Sequence, residues 1–276
     1  MQILITGRNG YLGSRLAESL SQSGHKVLTL TRAERELPDL VSRLPGVDGV
    51  IHTACCYGRR GESDAEVFAA NVDGPMRLLK MLPGGAFFLN TDTVLPPALN
   101  SYAASKALFR QAGAAFARVR NIRWLNVRLA HFFGPGEGMD KFVTRTVRAC
   151  LDGAELKLTR GEQRREFIFI DDVVRAFDFV LRFTPESWTA DDVYAGSGNP
   201  IRIRDLAEQI HRLSGSLGRL RFGAVPLRKG EPIELERPDV EPLERFGWYA
   251  TVELQNGLEQ VVQFEQTRRV NPCACW

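Results

Sequence analysis

Two residues in one short stretch have the types and the spacing needed for acid–base chemistry. Tyr102 and Lys106 frame the sequence Tyr-Ala-Ala-Ser-Lys, four positions apart. If the stretch is helical, this spacing places both side chains on one face. An ammonium group there would lower the pKa of the phenol from its reference value of about 10. We interpret Tyr102 and Lys106 as catalytic, with the tyrosine exchanging a proton near neutral pH. An ordinary exposed pair on a helix is the alternative.

A glycine-rich turn near the start of the chain indicates what such a pair would work with. The apolar run 2–5 predicts a strand, and a helix-like stretch begins at Ser14. Between them, Gly7 permits a tight turn, Gly10 lets the backbone approach a pyrophosphate, and Gly13 lets the helix pack closely on the strand. Strand, glycine turn and helix in this order predict a dinucleotide site. Its predicted residues are Gly7, Arg8, Asn9, Gly10, Tyr11, Leu12 and Gly13, with Tyr102 and Lys106 beside the cofactor.

The elements that must position these residues alternate along the first half of the chain. Apolar β-like runs are separated by helical stretches, which predicts an α/β fold: a doubly wound parallel sheet of the Rossmann type, covered on both faces. We expect residues 1–134 to form this NAD(P)-binding domain. The predicted strands span 3–5, 27–30, 50–53, 86–89 and 122–129.

The second half has a mixed pattern, with a segment rich in proline and charge at 226–247. We predict a smaller C-terminal, substrate-binding lobe that closes over the carboxyl ends of the strands. The lobe is assigned to 135–270, with 166–200 returning to the first domain and 271–276 forming a tail. Predicted elements here are a helix at 141–151, a strand at 166–170 and a helix at 171–183.

Size and composition are typical of a soluble globular enzyme. The chain has 276 residues, of which 25% are charged and 44% hydrophobic, and interspersed charges give a net charge of +3, so we expect no nucleic-acid partner. Five cysteines without a secretory leader predict a reduced, cytoplasmic protein. No run is long enough to span a membrane. Cys273 and Cys275 resemble half of a metal site, but no second pair accompanies them, so we expect no metal.

Ordered landmarks along nearly the whole chain resemble the extended short-chain dehydrogenase/reductases that act as nucleotide-sugar epimerases, dehydratases and reductases. The resemblance implies adenine contacts from Asp39 and Leu40 and a central cofactor contact from Asn71. It also implies a homodimer. The cofactor would further be lined by Thr53, Ala54 and Cys55. The landmarks are TGRNGYLG at 6–13, VIHTA at 50–54, NVDG at 71–74, YAASK at 102–106, Arg128 with GPG at 134–136, REFIFIDD at 165–172 and FGW at 246–248.

The segment 90–94 matches the part of the family that carries a catalytic serine or threonine. Alignment on Val94 places that hydroxyl at Thr91, which would hydrogen-bond the substrate oxygen. The family's dehydratases carry Thr-Asp-Glu where this chain has Thr91, Asp92 and Thr93. Because one carboxylate does not easily serve as both acid and base, we set dehydration aside and expect Asp92 to hydrogen-bond a sugar hydroxyl.

Arg32 governs the predicted choice of cofactor. NAD enzymes place an acidic residue about twenty positions after the glycine turn to hold the ribose 2′-hydroxyl, whereas this chain has Arg32 there. A guanidinium can form bidentate bonds with a 2′-phosphate, and Arg8 could assist. NADP(H) is therefore favoured, with NAD still possible. The alternative is that Arg32 stacks on adenine or faces solvent while Glu34 serves the ribose.

Net reduction is the reaction that NADP(H) favours, because a 4-epimerase recycles NAD within each turnover whereas a reductase consumes NADPH. The segments 90–96 and 158–165 resemble nucleotide-linked 4-keto-6-deoxyhexose reductases such as abequose and paratose synthases. We therefore predict NADPH-dependent reduction at C4 of a nucleotide-diphosphate-linked 4-keto-6-deoxy sugar, in deoxysugar biosynthesis. A NAD-dependent nucleotide-sugar 4-epimerase is the alternative. A non-catalytic NADPH-sensing regulator is disfavoured because Tyr102 and Lys106 are both present.

Cations are needed to anchor the diphosphate of such a substrate. The candidates are Arg164 or Arg165 ahead of an apolar run, and Arg228 or Arg237 in the charged late segment. His131 stands where relatives commonly place an asparagine that contacts the substrate, and it would either bind the substrate or simply pack. The predicted substrate-binding set is Asp92, His131, Arg165 and Arg228.

Overall fold

The structure, a computed structural model, describes residues 1–30, 46–182, 191–215 and 218–271. The chain folds into two compact units. One comprises Met1–Leu129, Val174–Ala195 and Pro238–Trp248, and the other comprises Ala130–Val173, Gly196–Arg237 and Tyr249–Trp276. These units divide the chain differently from the predicted domains, since 166–173 falls in the second unit and 238–248 in the first.

Strands and helices alternate through the first unit as the sequence predicts. The elements of both units are numbered together here in chain order. The strands are β1 Gln2–Thr6, β2 Lys26–Leu30, β3 Gly49–His52, β4 Phe87–Thr93, β5 Arg123–Leu129, β6 His131–Phe133, β7 Glu155–Lys157, β8 Arg164–Phe169, β9 Asp192–Ala195, β10 Pro200–Arg202, β11 Arg219–Arg221 and β12 Glu241–Pro242. The helices are α1 Tyr11–Gln22, α2 Asp64–Phe68 with a π-helical continuation Ala69–Asp73, α3 Gly74–Met81, α4 Ser101–Val119, α5 Phe142–Leu151, α6 Ile170–Arg182, α7 Ile203–Leu213 and α8 Leu254–Val270.

The first unit is built around a parallel sheet. Among the described residues it has seven strands in the order β12-β9-β5-β4-β3-β1-β2, and every neighbouring pair is parallel. The four residues of β3 are all buried, as are the last four of β1. Strands buried on both faces read as continuous apolar runs, which is why their positions could be predicted. The predicted Rossmann-type sheet is confirmed.

Helix α4 is fixed to the sheet by aromatic packing. Phe109 lies edge-on to Trp124 of β5, with ring centroids 5.6 Å apart, and Phe88 of β4 stacks on the same indole at 5.4 Å. At Gly113, one turn further along α4, an added Cβ would lie 2.5 Å from the Trp124 ring. Glycine is therefore needed for the close approach of helix and indole. This packing sets the position of the helix that begins with Ser101 and carries the predicted catalytic pair.

The second unit contains smaller sheets and three of the helices listed above, α5, α7 and α8. Strands β10, β8 and β6 form one sheet, and β11 pairs with β7. Asp172, fully buried, accepts the backbone N–H groups of Thr251 and Val252 at 3.2 and 3.0 Å and so fixes the chain just before α8. In the described ranges, no helix combines the length and the apolar character needed to cross a membrane.

Glu137 is a carboxyl buried in the loop between β6 and α5, with 6% of its surface exposed. Burial is the main cause that raises its pKa from 4.5 to about 8; Asp140 acts in the same direction and Lys141 opposes it. Between these two pH values the folded protein holds a proton on Glu137 that the unfolded chain releases. The stability from this group is therefore fully present below about pH 4.5 and is lost as pH rises towards 8.

We expect Glu137→Gln to remove this pH dependence. At pH 7 the free energy of unfolding should rise by roughly 2–3 kcal/mol, while near pH 4.5 the variant and the wild type should differ little. Urea unfolding at pH 4.5 and pH 7 measures the effect. Glu18→Gln, at an exposed position of α1, is the matched control. An unchanged pH dependence in Glu137→Gln would contradict the prediction.

Candidate active site

The turn after β1 is shaped for close approaches that only glycine permits. Gly7 has φ of +77°, and a Cβ there would lie 2.7 Å from Ala54 N and 2.8 Å from Thr53 Oγ1. A Cβ at Gly13 would lie 2.2 Å from the carbonyl oxygen of Gly7. The Gly10 N–H donates to that same carbonyl at 2.8 Å. The glycines therefore do in this structure what their spacing predicts: they allow a tight turn and a helix packed directly on it.

The N-terminus of α1 fits an anionic group. Its N-cap, Gly10, has an extended backbone and no side chain to cap the first N–H groups of the helix. Arg8, Asn9 and Gly10 are exposed, so the backbone here is open to a ligand. Helix N-termini favour negative charge, and this combination suits the pyrophosphate of a dinucleotide. Leu12 is buried, which leaves only its backbone to face such a ligand.

The segment that follows β3 is tied to the end of β1. Thr53 Oγ1 donates to the Thr6 carbonyl at 2.7 Å, and the Ala54 N–H donates to Thr6 Oγ1 at 3.4 Å. Thr6 Oγ1 also lies 2.7 Å from His52 Nδ1. These bonds place Thr53 and Ala54 directly against Gly7, where the resemblance predicts that they line the cofactor.

Asn71, fully buried in the π-helical segment, fixes the backbone around Cys56 in place. Its amide group donates to the Cys56 carbonyl and to Ser105 Oγ, both at 2.9 Å, and its side-chain oxygen accepts the Cys56 N–H at 2.7 Å. Asn71 thus joins the loop after β3 to α4, and Ser105 Oγ in turn donates to the Tyr102 carbonyl. These contacts make Asn71 a positioning residue, and its contact with a cofactor stays a prediction.

Tyr102 and Lys106 lie in the first turns of α4. Asn100 is the N-cap, and its side-chain oxygen accepts the Ala103 N–H at 2.9 Å, which fixes where the helix begins. The helical spacing assumed for the pair is confirmed. Lys106 is 3% exposed, and its Nζ donates to the carbonyl oxygen of Thr91 in β4. An ammonium has three N–H donors, so two remain for other partners.

The pKa of Tyr102 is raised well above its usual value, first by burial and then by Cys55 and Tyr57. The Tyr57 ring lies against the Tyr102 ring, with the ring centroids 4.8 Å apart and the ring planes tilted by 35°. The predicted lowering of this pKa by Lys106 is therefore wrong for this structure, because loss of solvent around the phenol outweighs it. The Thr93 side chain acts in the opposite direction and lowers the pKa of Tyr102. A phenol in this setting is protonated at neutral pH and suited to act as an acid.

The hydroxyl of Thr91, the predicted catalytic group, already forms a hydrogen bond with the main chain. Its Oγ1 donates to the His52 carbonyl at 2.8 Å, and 8% of the residue is exposed. Thr93 lies two residues further along β4, and residues two apart on a strand share a face. Thr93 is partly exposed, and Leu95 N–H donates to its Oγ1 at 3.2 Å.

Asp92 lies in a buried network of charges rather than at a free surface. Its side chain is 0% exposed and 2.5 Å from Arg110 Nη1, and Asn126 Nδ2 donates to it at 3.1 Å. The same network includes Asp192, which accepts from Arg128 Nη2 at 2.5 Å and from Asn126 at 2.8 Å. Because its oxygens already serve protein donors, the structure argues against the predicted contact between Asp92 and a sugar hydroxyl.

Arg165, the predicted diphosphate anchor, is also engaged within the protein. Nη1 donates to the carbonyl oxygens of Arg164 and Ile233 at 2.7 and 3.2 Å. Nη2 donates to Glu231 at 3.0 Å and to the Pro232 carbonyl at 2.8 Å. The side chain is 6% exposed, and burial lowers its pKa. With both terminal nitrogens occupied, Arg165 holds the segment 231–233 in place, which argues against the predicted role in anchoring substrate.

The other two predicted substrate contacts, Arg228 and His131, differ in exposure. Arg228 is exposed, and His131 is partly buried, with its ring 5.7 Å from that of Phe167. Their contacts with substrate stay predictions. Arg32, Asp39, Leu40, Cys273 and Cys275 lie outside the described residues. Among the described residues, no group of three or more histidine, cysteine, aspartate or glutamate side chains is arranged to hold a metal ion.

Comparison with known proteins gives consistent matches. The model of the NAD dependent epimerase/dehydratase family matches residues 3–195. CDP-abequose synthase from Salmonella typhimurium is 28% identical over 292 residues, which cover 95% of this chain and 97% of that protein.

Solved structures agree with the fold. UDP-glucose 4-epimerase from Thermotoga maritima superposes with a TM-score of 0.81 at 20% identity, covering 98% of this chain and 100% of that one. A dTDP-glucose 4,6-dehydratase from Streptomyces venezuelae gives 0.82 at 23% identity, covering 99% of each chain. At these identities the two likenesses establish the fold alone.

Proposed function

Since the chain belongs to the NAD-dependent epimerase/dehydratase family, we propose that it is an NADPH-dependent reductase of a nucleotide-diphosphate-linked 4-keto-6-deoxy sugar. The relative named CDP-abequose synthase, which aligns along 95% of this chain, supports a nucleotide sugar as the substrate. The reaction would deliver hydride to C4 and a proton to the oxygen on that carbon.

The observation that carries this proposal is the chemistry available around Tyr102. Dehydration needs an acid and a base at the end of β4. There, Asp92 is held in an ion pair with Arg110, and the following residue is Thr93, which is neither an acid nor a base. The phenol of Tyr102 carries its proton at neutral pH, as any phenol with a pKa of about 10 does, and burial raises its pKa further. A protonated tyrosine is the acid that reduction requires, whereas oxidation of a sugar hydroxyl would need a base.

The residues of the glycine turn would hold the cofactor. The backbone of 7–13 would bind the pyrophosphate, and Thr53 and Ala54 would form the adjoining wall. Arg32 would bind the 2′-phosphate that distinguishes NADPH from NADH. The chemistry that NADPH supplies when bound is a hydride for the carbonyl carbon of the sugar.

This chain's own residues would complete the reduction. Tyr102 would donate its phenolic proton to the C4 oxygen as that oxygen gains charge, and it would then regain a proton from solvent. Lys106, whose ammonium keeps two N–H donors beyond the Thr91 carbonyl, would hold the nicotinamide ribose and compensate the charge of the phenolate.

Cofactor preference is the first test of the proposal. We expect the nucleotide-free protein to bind NADPH at least about tenfold more tightly than NADH, or about 1.4 kcal/mol. Arg32→Ala should abolish that preference because it removes the ligand of the 2′-phosphate. Fluorescence titration measures both affinities. The control is Arg118→Ala, since this arginine is exposed and paired only with Asp191 among the described residues.

Turnover is the second part of the same test. The protein should oxidise NADPH, followed at 340 nm, when it is given a CDP-linked 4-keto-6-deoxyhexose. Tightly retained NAD, no preference for the 2′-phosphate and interconversion of 4-epimers without net cofactor consumption would overturn the proposal. That outcome would identify the 4-epimerase alternative instead.

A further inference from the structure

We propose that Arg110 is a positioning residue of the active site, and that its ion pair with Asp92 sets the orientation of the helix face that carries Tyr102 and Lys106. The inference rests on the proposed function in that it takes these two residues as the catalytic pair. It gives a task in the reaction to an arginine that lies outside the predicted site.

Arg110 continues the spacing of the catalytic pair along α4. Tyr102, Lys106 and Arg110 follow one another at intervals of four residues in this helix. Side chains four residues apart on a helix share a face. We call the face formed by these three residues the catalytic face of α4. The spacing was also the signal in the sequence that could have identified Arg110.

Two successive residues of β4 hold the catalytic face. The carbonyl oxygen of Thr91 accepts from Lys106 Nζ, and the carboxylate of Asp92 lies 2.5 Å from Arg110 Nη1. One ammonium on a flexible stem does not fix the rotation of a helix, but a second bond one turn further along does. The Arg110 and Asp92 side chains are 18% and 0% exposed, so salt and solvent screen their attraction little.

Asp92 also holds the start of the segment that leads to Tyr102. Its Oδ1 accepts the Thr93 N–H at 2.8 Å, where the chain leaves β4. Its Oδ2 meets Arg110, two turns beyond Tyr102 in the helix. One carboxylate therefore closes the loop 92–110, and the catalytic pair lies within that loop.

The aromatic packing of α4 does not make this ion pair redundant. Phe109 packs edge-on against Trp124, but apolar contacts are non-directional. A charge-assisted hydrogen bond fixes both distance and direction. Lys106 needs that precision, because its two remaining N–H donors must point at the nicotinamide ribose. A displacement of about 1 Å in such a group can cost roughly 10²-fold in rate.

Variants of the ion pair test the proposal through the rate of reduction. Arg110→Gln should lower kcat about 100-fold, with KM for the sugar within about threefold of wild type. Arg110→Lys restores the charge, and its kcat should be at least about tenfold above that of Arg110→Gln. Asp92→Asn removes the charge of the other partner and leaves no buried negative charge unpaired, so it serves if Arg110→Gln does not fold. Its kcat should also fall at least about tenfold.

An ion pair of the same length in the second unit gives the matched control. Arg148 of α5 lies 2.5 Å from Glu265 of α8, and their side chains are 28% and 1% exposed. Arg148→Gln should lower the free energy of unfolding much as Arg110→Gln does. Its kcat should nevertheless stay within about threefold of wild type, because the catalytic face of α4 is intact.

A second measurement does not depend on the sugar. Arg110→Gln should weaken binding of NADPH about tenfold and leave binding of 2′,5′-ADP within about twofold of wild type, because the latter lacks the ribose that Lys106 would hold. Calorimetric titration measures both affinities. Asp92→Asn should show the same difference between the two nucleotides. If the protein prefers NADH, then NADH and AMP take their places.

These measurements separate the role of Arg110 from the proposed function. If the wild-type protein reduces no 4-keto sugar, the proposed function fails, and the nucleotide titrations still decide the role of Arg110. That role is refuted if folded Arg110→Gln keeps kcat and NADPH affinity within about threefold of wild type, or if both nucleotides bind equally more weakly. A loss of kcat confined to Asp92→Asn, with NADPH binding unchanged, would indicate a direct chemical role of Asp92 and would also refute it.

Discussion

Tyr102→Phe is expected to lower kcat by about 10³-fold or more. The phenylalanine ring fills the same space beside Tyr57 but has no proton to give, and positioned acids contribute typically 10²–10⁴ in rate. The affinity for NADPH should stay within about threefold of wild type, because the glycine turn and Lys106 are unchanged. Rates of NADPH oxidation at saturating sugar, with a separate cofactor titration, measure the two effects.

Tyr57→Phe is the matched control for this variant, because it also removes a phenolic hydroxyl while keeping the ring that covers Tyr102. We expect its kcat to stay within about tenfold of wild type. If Tyr102→Phe keeps full activity, the chain does not use Tyr102 as its acid, and the proposed mechanism is refuted whatever the cofactor preference.

Arg110→Ala is expected to lower the free energy of unfolding by about 3–5 kcal/mol. Removal of one member of a buried ion pair leaves the other charge uncompensated, and the Asp92 side chain is 0% exposed. Asn126 and the Thr93 N–H would remain as donors to Asp92, but neither carries a positive charge. Equilibrium unfolding in urea measures the loss.

Arg118→Ala is the control on the same helix. Arg118 pairs with Asp191 at 2.8 Å, but the two side chains are 74% and 62% exposed, so their pair should contribute less than about 1 kcal/mol. Addition of Asp92→Asn to Arg110→Ala should restore part of the lost stability, because it removes the uncompensated negative charge of Asp92. Equal losses in Arg110→Ala and Arg118→Ala would show that the network around Asp92 is not the stabilising element we infer.

Much of the fold could be predicted because its signals are local. Strands such as β3 and β5 are apolar runs, and the predicted positions 50–53 and 122–129 differ from the observed ones by one residue at most at each end. The glycine turn could be predicted for the same reason, since the φ of Gly7 and the close contact at Gly13 depend on residues a few positions away. Segments whose pattern is mixed, such as 238–248, were harder to assign to a unit.

The helical placement of the predicted acid–base pair could be read from the sequence, but its surroundings could not. Helical spacing alone placed Tyr102 and Lys106 together, and the structure keeps them in the first turns of α4. The pKa of Tyr102 was predicted in the wrong direction, because burial of the phenol is a property of packing that the spacing does not reveal.

The sequence by itself determined the parallel sheet, the glycine turn, the helical spacing of Tyr102 and Lys106, and the family. Only the tertiary structure decided which polar groups are free to meet a ligand. Asp92 is matched by Arg110 and Asn126, and Arg165 by the segment 231–233, far away along the chain. A buried polar group must find a partner, and packing selects that partner from residues at any sequence distance. The same constraint occupies the hydroxyl of Thr91 and leaves that of Thr93 available.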